Sequence, residues 1–252
     1  MHLLYNKWVY CCYKMGCLRL DFASLTKQGE KEYNSDFIAA FEDGNSCCFA
    51  VADGRETPYA AELAVESVTE DFKASHAITK TSVPDFFANA GERLKSAELP
   101  LSACMAFLLT DGSVAVWGNI GDCRVYLLRD NLLYEITSDH SGAYALYEAG
   151  EIRYPKIRIN KTRYDLTRML GHGYETNPDS SQPEIIKKGD AFLICTDGFW
   201  ENIHERQIEK TLKKSKSAQD WLDRMIKVID KNVKHKKYTR FKDSMSAVVV
   251  KM

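Results

Sequence analysis

The period of apolar and polar positions changes several times along the chain, and each change marks an element. Phe37 to Glu42 and Cys47 to Ala52 read as short strands, and Asp43-Gly44-Asn45 between them has the turn chemistry of a hairpin. From Pro58 to Phe72 the residues Ala61, Ala64, Val65, Val68 and Phe72 recur every three or four positions, which is one face of a helix, with Pro58 suited to its first turn. A second amphipathic segment runs from about Pro84 to Ala97. Strand patterning resumes over Ala103 to Leu109, Val114 to Trp117, Arg124 to Leu128 and Leu132 to Ile136, and the turn dipeptides Asp111-Gly112 and Asp130-Asn131 predict an antiparallel meander. Residues 138 to 188 have no lasting period, are rich in Gly, Pro and charge, and are long enough to predict a functional insertion over a site. Ala191 to Cys195 reads as a buried strand, Glu205 to Leu212 and Ala218 to Val233 as helices, and Met245 to Val250 as a last strand. Strand runs interleaved with helix pairs predict α+β layering.

Composition narrows the picture. With 252 residues, 45% of them apolar, the chain can bury one sizeable core, and a single domain is expected. A formal charge of -1 gives no global field toward nucleic acid or membrane. The basic residues from Lys210 to Lys242 are spread along helices without interleaved stacking aromatics, so no nucleic-acid site is predicted there. The first twenty residues, apolar but interrupted by Lys7 and Lys14, fall short of the roughly 18 apolar residues of a spanning helix. They also lack a small-residue cleavage site, and residues 1–20 are read as an extension of unknown role, ahead of one domain over 21–252. Cysteines such as Cys47 and Cys48 lie inside apolar runs without zinc-site spacing, a usage that suits buried thiols in a reducing cytoplasm. The histidines, His140 among them, likewise show no ligand spacing.

The candidate chemistry lies in four aspartates at or near the ends of strand-like runs: Asp53 and Asp197, each followed by Gly, Asp122 in Gly-Asp-Cys-Arg, and Asp243 before the last strand. Carboxylates that converge on a rigid scaffold repel one another unless a cation lies between them. Hard oxygen donors select magnesium or manganese rather than zinc. The glycine of each Asp-Gly pair is expected to turn the backbone and expose a carbonyl oxygen.

Segment by segment, the chain resembles the type 2C (PPM) metal-dependent serine/threonine protein phosphatases, in particular the stand-alone bacterial members. Gln28 to Asp36 resembles the family's opening Gly…Arg…Asn-Glu-Asp motif, and Phe49-Ala50-Val51-Ala52-Asp53-Gly54 its Asp-Gly motif. Gly118 to Tyr126 is similar to its Asn-x-Gly-Asp-Ser-Arg turn, Thr137 to Ser141 and Leu166 to Gly171 to its flap signposts, and Gly189 to Trp200 and Asp243 to Val250 to its last two metal-bearing motifs. The resemblance covers residues 21 to 252 and implies a four-layer αββα sandwich of two antiparallel sheets flanked by helix pairs. It implies that Asp53 bridges two Mn2+ or Mg2+ ions, that Asp197, Asp243 and the Gly54 carbonyl complete their sites, and that Asp122 joins Asp197 at a weaker third. Asp36 would hold a water and Lys31 the phosphate. The implied reaction is hydrolysis of phosphoserine or phosphothreonine on proteins by a water held between the two ions. A monomer opposing a serine/threonine kinase is the implied setting.

Several positions depart from the family pattern. Lys31 stands where the family commonly has a phosphate-binding Arg, so the bidentate fork is lost. Ser35 replaces the acidic residue of Asn-Glu-Asp, and Arg55 stands where many members carry a general-acid His. Ser102-Ala103-Cys104 replaces Gly-Thr-Thr, and Ser244 an Asn. Two readings therefore stay open on the residues: an active hydrolase, favoured by the retained aspartates, and a pseudophosphatase that binds a phosphoprotein or signalling partner, favoured by Lys31, Ser35 and Arg55.

Overall fold

The computed structural model describes residues 20–55, 57–235 and 243–252. The reading of residues 1–20 as an extension lies outside the described residues, Leu20 apart, as do Glu56 and the end of the basic stretch over 236–242.

Twelve strands and six α-helices follow one another as β1 (Asp21–Lys27), β2 (Asp36–Asp43), β3 (Ser46–Arg55), α1 (Pro58–Ser75), α2 (Ser82–Lys95), β4 (Ser102–Thr110), β5 (Val114–Ile120), β6 (Arg124–Arg129), β7 (Leu132–Ile136), α3 (Gly142–Glu148), β8 (Leu170–Gly171), β9 (Asp179–Ser180), β10 (Glu184–Ile185), β11 (Ala191–Cys195), α4 (Asp197–Trp200), α5 (Glu205–Lys214), α6 (Ala218–Lys234) and β12 (Met245–Lys251), counted over the described residues. Two 3-10 segments, Tyr154–Ile159 and Lys161–Tyr164, lie between α3 and β8. Local chemistry sets the ends. The Thr57 side chain accepts from the Tyr59 N–H while Pro58 begins α1, and the Ser217 side chain accepts from the Asp220 N–H at the start of α6.

The strands form two antiparallel sheets, one ordered β1-β12-β11-β6-β7 and the other β10-β5-β4-β3-β2, with β8 beside β4 and β9 beside β5. Alternation along β3 shows the layering. Cys48, Ala50 and Ala52 pack with Ala64, Val68, Phe72 and Phe87 of α1 and α2, whereas Cys47, Phe49 and Val51 face Val125, Ile194 and Val248 of the opposite sheet. Trp117 and Phe192 meet across that inner layer with ring centroids 5.7 Å apart, a contact worth about 1 kcal/mol beyond the area it buries. On the outer face of the second sheet, Trp200, Trp221, Leu222 and Met225 cover Tyr126, Leu193, Ala247 and Val249. The result is the expected four-layer αββα sandwich.

The predicted meander is corrected. Strands β4 and β5 pair with each other and β6 pairs with β7, but β5 and β6 lie in opposite sheets, so the chain crosses the sandwich at Gly121-Asp122-Cys123. Pattern alone could not separate these cases, because a turn within a sheet and a crossing between sheets both follow an alternating run. The segment predicted to be irregular carries α3, the two 3-10 segments and three two-residue strands.

Candidate active site

Strand register brings the candidate aspartates to one end of the sandwich. Asp36 opens β2 directly opposite Asp53 near the end of β3, and Asp53 is paired in turn with Cys104 of β4. Met105 pairs with Ile120 at the end of β5, so the crossing turn with Asp122 leaves from the same end. In the other sheet Cys195 at the end of β11 pairs with Arg124 and with Ala247, which places Asp197 and Asp243 at that end too. Each sheet therefore contributes carboxylates to one cleft.

The glycine reading changes at Gly54 and Gly198. Gly54 continues β3 and Gly198 lies in the first turn of α4, and neither has a positive φ. What they provide is close approach: a Cβ on Gly54 would lie 2.6 Å from the Thr57 carbonyl oxygen, and one on Gly198 would overlap the Ser244 carbonyl. The Gly54 N–H donates to the Ser35 carbonyl at 2.9 Å, tying the motif before β2 to the end of β3.

Electrostatics record how close these groups are. Burial holds Asp53 well above the ordinary carboxylate range, and the charges of Asp36, Asp197, Asp243 and Asp122 push it further. Burial likewise pushes Asp36 up to about 7, although hydrogen bonds from Ser246 and Thr196 pull it down. Asp122 is pushed up to about 8 by burial and then by Asp197 and Asp139. Asp197 is pushed up to about 6 by burial and by Asp243, with Arg163 opposing. Lys31 is the cation of the cluster: its ammonium lies 2.6 Å from Asp243, and that hydrogen bond and charge, helped by Asp53 and Asp197, outweigh burial and raise it.

Whether these residues suit a divalent cation follows from their donor chemistry. Asp36 Oδ1 and Asp197 Oδ1 are buried without a hydrogen-bond partner, a costly state that a cation would relieve. The neighbouring donors are carboxylates rather than imidazoles, which suits a hard ion. Among the described residues no three acidic, histidine or cysteine side chains have closed into a cage able to hold a metal outright. The set is held open, with Ser35 Oγ donating to Asp53 at 3.1 Å, Thr196 Oγ1 to Asp36 at 2.8 Å, and Lys31 lying on Asp243. An open oxygen set fits an ion that keeps several of its waters, as magnesium does.

Other residues at the site were not singled out from the sequence. Thr196 joins Asp36 to β12, since its hydroxyl also accepts from the Ser246 N–H at 3.1 Å. The Trp200 indole donates to the Asp122 carbonyl at 2.9 Å and so joins α4 to the crossing turn. Arg158, in the first 3-10 segment, donates to the carbonyls of Trp200 and Ile203 at 2.6 and 2.7 Å and pairs with Glu205, and Arg163 pairs with Glu201 beside Asp197. His140 is buried and structural: its Nδ1 accepts from the Gly121 N–H at 3.1 Å and its Nε2 meets Asp179 at 3.2 Å. Cys123 and Cys195 are buried, and burial raises both thiols, which leaves them unreactive. Only the abundance of arginine between 153 and 168 hinted at this anchoring; its partners are distant in sequence.

A sandwich of two antiparallel sheets between helices, with aspartates of both sheets meeting at one end, is the architecture that the family resemblance implies. The family model described as protein phosphatase 2C matches residues 26–241, and the chain belongs to that family. Among its relatives, the serine/threonine phosphatase Stp of Listeria monocytogenes is 25% identical over 213 residues, covering 78% of this chain and 84% of the relative. The structure of the PPM Ser-Thr phosphatase MsPP from Mycobacterium smegmatis, in complex with cacodylate, is 26% identical and superimposes with a TM-score of 0.73, covering 94% of this chain and 100% of that one. The catalytic domain of the phosphatase PstP, solved with two manganese ions, is 20% identical with a TM-score of 0.75, covering 92% of this chain and 97% of that one, and shares the fold.

Proposed function

We propose that residues 21–252 form the catalytic domain of a metal-dependent protein serine/threonine phosphatase. The observation that carries this reading is the meeting of Asp36 and Asp53 from one sheet with Asp197 and Asp243 from the other, beside a lysine and with buried carboxylate oxygens left unpartnered. Asp53, Asp197, Asp243 and the Gly54 carbonyl would hold two Mn2+ or Mg2+ ions, and Asp122 with Asp197 would serve a weak third. When bound, the ions supply an activated water and neutralise phosphoryl charge. The chain's own residues do the rest. Asp36, raised by burial and steadied by Thr196, accepts a hydrogen bond from the attacking water. Lys31, whose side chain is about half exposed, can swing from Asp243 to a phosphoryl oxygen and binds it as a point charge. No covalent phosphoenzyme is needed, which agrees with the burial of the cysteines among the described residues.

The substrate is a phosphorylated protein, by analogy with the named relatives, and the protein acts as a monomer opposing a serine/threonine kinase. Buried free thiols support a cytoplasmic setting. Among the described residues no helix is long and apolar enough to cross a membrane. The test is hydrolysis of a phosphothreonine peptide with manganese titrated from micromolar to tens of millimolar, with Asp53→Ala and Asp197→Ala as controls. Metal-dependent turnover lost in both variants supports the reading; no turnover from folded protein that still binds an ion would identify a pseudophosphatase.

A further inference from the structure

Arg55 lies at the end of β3 with its side chain exposed, in the row of residues that faces the cleft. Phe49 and Val51 point to the inter-sheet layer while Ala50 and Ala52 point to the helices, so the period of two puts Asp53 and Arg55 on the inter-sheet side, where that layer opens into the site. Arg55 pairs with Ser102 of β4, and Ser102 pairs with Gly171 of β8, so the three lie in one row across three strands. Beyond β8 the chain turns through Gly173, with φ of 79°, and brings Tyr174 back over this row. The Arg55 guanidinium donates to the Tyr174 hydroxyl and lies 6.0 Å from the centre of its ring.

The charge of Arg55 is not spent inside the protein. Other arginines of the chain are paired: Arg124 with Asp139, Arg158 with Glu205, Arg163 with Glu201 and Arg168 with Asp179. Arg55 has no carboxylate partner among the described residues and is held by a neutral phenol, which fixes the group and leaves most of its five donors and its full charge for an incoming anion. The phosphoryl group already has a cation in Lys31, among the carboxylates. Arg55 lies two strand residues beyond Asp53, an offset of roughly 6 to 7 Å, which matches one to two residues of an extended peptide.

We propose that Arg55 is a specificity residue that binds the carboxylate of an acidic side chain next to the phosphorylated residue of the substrate. This rests on the phosphatase reading and assigns that enzyme a substrate class, phosphoproteins with acidic sequence beside the phosphosite. Tyr174 is its positioning residue, presenting the guanidinium at the lip of the cleft.

The test compares two phosphothreonine peptides identical except for Glu or Gln on either side of the phosphothreonine, in wild type, Arg55→Met and Arg55→Lys. In wild type the Glu peptide should have the higher kcat/KM by about three- to tenfold, through KM, as suits a charge-assisted contact at a partly exposed position. Arg55→Met should bring that ratio to about one, and Arg55→Lys should retain part of it. A loss of kcat/KM that is equal for both peptides would assign Arg55 to structure or to the phosphoryl group and overturn the proposal, as would an unchanged ratio. Binding of fluorescent phosphonate analogues of the same peptides, read as a ratio of Kd values, separates the two claims. A preserved acidic preference without hydrolysis would sink the phosphatase reading alone, and hydrolysis without the preference would sink this inference alone.

Discussion

The ammonium of Lys31 lies 2.6 Å from Oδ1 of Asp243, so a cation of the chain rests on a carboxylate of the proposed metal site. The two compete. Replacing Lys31 with Met is expected to tighten manganese binding by up to about fivefold, the limit for a partly exposed ion pair, while raising KM for phosphopeptide. Lys31→Arg is expected to lower KM, because the planar fork can bind two phosphoryl oxygens at once. Isothermal titration for the ion and steady-state kinetics for the peptide check the two directions.

Ser35 is buried and donates to Asp53 where an acidic side chain would instead add negative charge. Ser35→Asp is expected to tighten manganese binding beside Asp53 by about tenfold and to lower the melting temperature of the metal-free protein, since it adds a carboxylate to a cluster that already repels itself. Calorimetry with and without a chelator measures both effects.

The same repulsion gives the metal-free protein a pH dependence with a definite sign. Asp36, Asp197 and Asp122 are raised to about 7, 6 and 8, above their unfolded values, so the folded state binds more protons than the unfolded one between about pH 4 and 8. The stabilising protonation is complete below the unfolded values and is lost as pH rises through the folded ones. In chelator, the melting temperature should therefore fall across this window, and manganese should reduce the fall. Asp197→Asn should raise the metal-free melting temperature by several degrees, for about 1 to 3 kcal/mol, while abolishing turnover.

Arg158 fills a different need, since it pairs with Glu205 and donates to two buried carbonyls. Arg158→Ala removes the side-chain donor from both carbonyls and the ion-pair partner from Glu205, and should cost about 3 kcal/mol, or roughly 6 to 12 °C of melting temperature. Because Trp200 carries one of these carbonyls and its indole holds Asp122, hydrogen exchange should rise in the crossing turn as well as in the 3-10 segments.

The elements were legible wherever one period persisted: β2, β3, α1, α5, α6 and β12 all fall within a few residues of the runs that predicted them. Strand β1, Asp-Phe-Ala-Ser-Leu-Thr-Lys, was not anticipated, since its short and weak alternation becomes a strand through pairing with β12. Sheet membership was also hidden, because β5 and β6 differ only in what they pair with far along the chain. At the site, the aspartates were visible as residue types at strand ends, and register brings them together. Thr196, Trp200, Arg158 and Arg163 were not visible, since each acts through a partner that only the folded chain brings near.

The position of β12 bears on when the site can exist during synthesis. It lies between β1 and β11, with Asp21 opposite Lys251, and Asp243 immediately precedes it. A chain still on the ribosome can pair β2, β3, β4 and β5 and cover them with α1 and α2, but it presents Asp53 to an unfinished neighbour. Until residue 251 has emerged, the second sheet lacks an inner strand and the cleft one of its walls. Assembly of the site therefore waits on β12, timed by translation, and nascent chains that have not yet released it are expected to be without activity however well their first half has folded.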